Sequence, residues 1–86
     1  MPEMTDKGLS VLVFAAYHTL VSGEVVRKVV LNDGKGHQAD KQGAEEMVAA
    51  GFLEAEGERG RLTDAGEEAL SALLTTIRQA RPYATR

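Results

Sequence analysis

Apolar residues of this chain fall into blocks with distinct spacing, and each block predicts one element. Between positions 7 and 21, Leu9, Leu12, Val13, Ala16 and Leu20 form a helical stripe, and Phe14, Tyr17 and Val21 form a second on a neighbouring face. The spacing predicts a helix with two apolar faces, capped by Thr5 or Asp6 and ended by Ser22-Gly23. Positions 24–31 read Glu-Val-Val-Arg-Lys-Val-Val-Leu. The spacing of Val25, Val26, Val29 and Val30 suits a short second helix, which is the reading taken, whereas the β-branched content suits an edge strand. Positions 32–37, Asn-Asp-Gly-Lys-Gly-His, are turn chemistry.

A third helix is predicted over 38–50, capped by Asp40 or a neighbour. Ala44, Met47 and Val48 make its apolar stripe, and Lys41, Gln42, Glu45 and Ala49 turn away from it. Gly43 inside it is expected to cost about 1 kcal/mol relative to Ala. Gly51 supplies the left-handed residue that ends the helix, with Phe52 folding back on Met47. Residues 52–56 and 60–63 then pair as a hairpin around Gly57-Glu58-Arg59. Thr63 or Asp64 caps a last helix in which Leu70, Leu73, Leu74 and Ile77 recur at i, i+3, i+4 and i+7 until Pro82 stops it. The predicted core takes Leu9, Leu12, Val13, Ala16 and Leu20 from the first helix and Val26 and Val30 from the second. Met47, Val48, Phe52, Leu53, Leu62 and the stripe of the last helix complete it.

Composition narrows the function classes. At 86 residues the chain makes one domain, 1–86, with 1–5 and 82–86 expected to fray, and it is too short for a core plus a deep substrate pocket. No nucleophile, base and orienter stand in a recognisable arrangement, so an enzyme is not expected. The 43% hydrophobic and 27% charged balance is that of a soluble globule, and no apolar run is long enough for a bilayer, so no membrane partner is expected. There is no cysteine and no secretory leader pattern, which suits a cytoplasmic protein. The 32–37 turn lacks both the later Glu of a calcium loop and the Gly-Lys-Ser/Thr of a phosphate loop. His37 and Asp40 find no third ligand, and His18 reads as a core or interface histidine. No metal and no cofactor are expected.

The stretch from Met47 to Leu70, Met-Val-Ala-Ala-Gly-Phe-Leu, a hairpin, then Leu-Thr-Asp-Ala-Gly and Leu70, resembles the ending of winged-helix regulators of the MarR and PadR kind. The resemblance covers about a third of the chain. It implies an α+β, mostly helical fold, a winged helix-turn-helix with a short two-stranded wing and a C-terminal helix. It also implies a transcriptional regulator that reads double-stranded DNA with helix 38–50 and wing 54–62. By that resemblance the DNA-binding residues are His37, Gln38, Lys41 and Gln42 on the helix and Arg59 and Arg61 on the wing. Glu45, Glu46, Glu54, Glu56 and Glu58 depart from a basic recognition face, and the net charge of −3 opposes phosphate binding. The alternative is a winged-helix interaction module, such as a phage or accessory protein, that binds another protein through its acidic wing and does not bind DNA. A plainer reading of Lys41, Gln42 and Glu45 is that they are merely the solvated side of a surface helix. A homodimer is expected through Phe14, Tyr17 and Val21 with Ile77 and Tyr83, because exposing that second face would leave an apolar patch that soluble monomers rarely carry.

Overall fold

In the computed structural model, residues 4–31 and 38–82 are described. The elements among them are α1 (Asp6–Ser22), β1 (Lys28–Val30), α2 (Lys41–Ala49), β2 (Leu53–Glu56), β3 (Arg59–Leu62) and α3 (Asp64–Gln79). The α+β class is as the sequence predicts, but the strands form an antiparallel three-stranded sheet in the order β1-β3-β2 rather than a two-stranded wing.

The 24–31 segment is the reason for that difference. It is not a second helix: Lys28–Val30 is an edge strand, with Val29 opposite Gly60 and buried at the core face of the sheet. Arg27 O accepts from Leu62 N–H at 2.8 Å and Leu31 N–H donates to Glu58 O at 2.8 Å, so backbone bonds to the end of β3 and to the turn just before it hold the segment at both ends. The predicted helix-turn-helix therefore loses its first member among the described residues. Thr19 sets the approach. Buried in α1, its hydroxyl donates to Ala15 O at 2.9 Å and accepts from Val26 N–H at 3.1 Å, tying the incoming strand to the helix.

Helix α1 packs with a phase the stripes do not predict. Its buried residues are Gly8, Val11, Leu12, Ala15, Ala16 and Thr19, whereas Leu9, Val13 and Leu20, predicted for the core, are exposed. Small residues select the face that meets α2. A Cβ on Gly43 would overlap the Lys7 carbonyl, so the backbones of α1 and α2 approach too closely for any side chain there. Gly43 is the contact point of the two helices rather than a weak spot in one.

Helix α2 begins where Asp40 Oδ2 accepts from Gly43 N–H at 2.8 Å, as predicted. It ends in a Schellman arrangement: Phe52 N–H donates to Met47 O at 2.9 Å, Gly51 N–H to Val48 O at 3.1 Å, and Gly51 has φ 84°. The predicted Val48 is exposed, while Met47 is fully buried. The two halves of the Gly-Phe-Leu and Leu-Thr-x-x-Gly pattern are wired together. Thr63 donates its hydroxyl to Gly51 O at 2.6 Å and its N–H to Phe52 O at 3.1 Å, and its oxygen caps α3 by accepting from Gly66 N–H at 3.1 Å. Gly66 lies against Phe52 so closely that a Cβ would overlap the Phe52 carbonyl. The predicted stripe of α3 meets the core, with Leu70 and Leu74 buried and Leu73 and Ile77 half-buried against them.

Candidate nucleic-acid interface

Helix α2 meets α1 at Gly43 and buries Ala44 and Met47, which leaves Lys41, Gln42, Glu45, Val48 and Ala49 as its solvent face. Gln38 is half-buried and shares a cleft between α2 and β2 with Lys41, Glu45, Val48 and Ala55. His37 lies outside the described residues. Gln42 accepts from Lys7 Nζ at 3.1 Å, which brings a cation from the start of α1 to this face. Lys7 was not anticipated as a site residue. The signal for it was faint, since only the phase of α1, which its apolar spacing does not reveal, places Lys7 against α2.

Glu46 does not belong to that face. Its carboxylate accepts from the Thr5 hydroxyl at 2.6 Å and 2.8 Å and from Thr5 N–H at 2.9 Å, at the start of α1, where unpaired N–H groups and the helix dipole favour an anion. The Thr5 hydroxyl first, then its N–H, holds the carboxyl below its ordinary value of 4.5. A depressed folded pKa means stability that is present above the ordinary value and lost as the pH falls through the folded one. Glu46→Gln should accordingly lower the melting temperature at pH 7, with the difference from wild type shrinking as the pH is taken well below 4.5. A gap that stays constant across that range would show that the charge of Glu46 contributes nothing.

On the hairpin the two predicted arginines separate. Cross-strand partners share a face, so the outer face of the sheet carries Lys28, Arg61 and Glu54 in one row and Val30, Arg59 and Glu56 in the next. Arg61 Nη2 meets Glu54 at 2.7 Å and its Nε meets Glu56 at 3.1 Å, while Lys28 reaches Glu56 at 3.6 Å. Glu56 first, then Glu54, raises the Arg61 pKa still further. Arg61 is thus engaged by two carboxylates. Arg59 is exposed and carries no ion pair among the described residues. These rim-exposed pairs add little stability, but they neutralise most of the positive charge of this face.

The residues expected at a dimer contact also divide. Phe14 is half-buried against the core and packs edge-on to His18 at 4.7 Å, and both line the space beside β1. Ile77 likewise packs on the core. Tyr17 and Val21 are exposed, and Tyr83 lies outside the described residues. Among the described residues, no group of three or more His, Asp or Glu side chains could hold a metal ion, and no helix is long and apolar enough to cross a membrane. No family model matches the chain, and neither a curated protein nor a solved structure does.

Proposed function

We infer that this protein is a binding domain rather than an enzyme, and that the solvent face of α2 with the tip of the β2–β3 hairpin engages duplex DNA in the manner of a winged-helix regulator. One observation carries the reading. The face offers Lys41, Gln42 and, beside Gln42, Lys7, and of the two neighbouring acids Glu46 is turned onto Thr5 while Glu45 stays exposed on the face with Lys41. Gln42 suits an adenine edge, and Lys41, Lys7 and Arg59 suit phosphate. The order of elements after α2, a helix closing on Gly51 and running straight into a hairpin and a capped helix, supports the winged-helix architecture by analogy. A cytoplasmic regulator is the role it would serve.

Titration against random-sequence duplex DNA at low and moderate salt tests this. Affinity should fall steeply with salt, and Lys41→Ala with Arg59→Ala should weaken binding about tenfold on every sequence and flatten the salt slope by roughly one unit per lost phosphate contact. Binding that is absent at low salt, or indifferent to both substitutions, would overturn the DNA reading. The grip of Glu54 and Glu56 on Arg61 favours the second reading, in which the outer face of the sheet docks a protein.

A further inference from the structure

Among the described residues, the face of α1 opposite α2 has no partner. Leu9, Val13, Tyr17, Leu20 and Val21 recur at i, i+4, i+8, i+11 and i+12 and are 44%, 51%, 55%, 44% and 69% exposed. No Asp, Glu, Lys or Arg occurs anywhere in positions 8–23, so no charge solvates this face along the helix. Such a stripe on a solvent-facing helix marks an interaction surface.

We propose that a second copy of this chain covers it, with the two α1 helices antiparallel about a two-fold axis that passes beside position 15. The pattern is self-complementary about that point. Val13 of one copy meets Tyr17 of the other and Leu9 meets Val21, so these four positions face apolar partners, while Leu20 falls opposite Ser10 and turns toward the cleft it shares with Ile77. The charges agree with this direction. At the far end of the stripe Leu20 shares a cleft with Ile77, Arg78, Ala80, Arg81 and Pro82 of α3 and the residues after it. Antiparallel pairing brings Asp6 of one copy to Arg78 and Arg81 of the other, two cations that outweigh the nearby Glu24, and it opposes the helix dipoles favourably. Ile77, Ala80 and Pro82 extend the contact beyond α1, toward the roughly 800 Å² per partner that a specific interface buries. Phe14 takes no part, being packed on the core of its own chain. The arrangement rests on nothing about DNA and is measured without it.

Sedimentation and light scattering of the full chain at tens of micromolar should report twice the chain mass. Val13→Glu, at an exposed position, should keep the far-ultraviolet helical signal and weaken association at least tenfold. Because the chain has no cysteine, register is tested directly by introduced thiols. Mixed Leu9→Cys and Val21→Cys chains should cross-link to each other, whereas Leu9→Cys alone should not, since its two copies lie roughly 18 Å apart along the axis at 1.5 Å per residue. A monomer at 100 micromolar, a dimer that Val13→Glu leaves intact, or Leu9→Cys cross-linking to itself as readily as to Val21→Cys would each overturn the proposal.

Discussion

Gly43→Ala and Gly66→Ala should each destabilise the protein by about 2 kcal/mol or more, although both put the best helix former into a helix. In an exposed helix the exchange would gain about 1 kcal/mol. Here the new methyl meets backbone, not a side chain that can turn aside. At Gly43 it would overlap the Lys7 carbonyl and stand 3.0 Å from Val11 Cγ2, and at Gly66 it would overlap the Phe52 carbonyl and stand 3.2 Å from Leu62 Cδ2. Relief requires α2 to move off α1, or α3 off the end of α2, and overpacking of this kind costs about 1–3 kcal/mol and at times more. For a domain of this size the expected fall in melting temperature is of order 10 °C. Gly8→Ala is the internal comparison. Its nearest neighbours are the Met4 side chain and the Glu46 carboxylate, which can shift, so its loss should be the smallest of the three. A Gly43→Ala protein that melts above wild type would mean that propensity governs and that the helices do not approach as described.

Gly51→Val should cost about 1–3 kcal/mol through the backbone alone. At φ 84° a β-branched residue is strained, yet nothing lies within 4 Å of the position a Cβ would take, so no clash contributes. The loss would instead come from the helix ending, because the bonds from Gly51 N–H and Phe52 N–H to the last turn of α2 depend on the left-handed residue. Thr63, whose hydroxyl rests on Gly51 O, carries the disturbance to the start of α3. Gly51→Asn should recover much of the stability, since Asn enters the left-handed region more readily than other side chains. Urea unfolding of the three proteins distinguishes the cases. Valine and asparagine variants with equal losses would point to a steric cause, and a valine variant as stable as wild type would remove the left-handed ending altogether.

The features that were legible in the chain are those whose causes lie within a few residues of one another. The Asp40 and Thr63 caps, the Gly51 ending, the hairpin turning at Gly57-Glu58 and the stripe of α3 all follow from local spacing and from single residues that permit or refuse a backbone conformation. Candidate contact residues could be named on the same basis, but their state could not. Glu46 and Arg61 look alike as surface charges in the sequence, and only the fold turns one onto Thr5 and sets the other between Glu54 and Glu56.

By itself, then, the sequence determined the order of α2, hairpin and α3 and the way they join, because caps, glycines and apolar spacing act over a turn or two. Tertiary structure decided the rest. Helix α1 is apolar on two faces, so its periodicity cannot say which is buried, and the choice falls to the face on which Lys7, Gly8 and Val11 let α2 come close at Gly43 and Glu46, with Ala15 and Ala16 buried as well. The valines of 24–31 fit a helix or a strand, and they become a strand because the free edge of β3 and the turn just before it offer Leu62 N–H and Glu58 O to a distant segment, which no local propensity can encode.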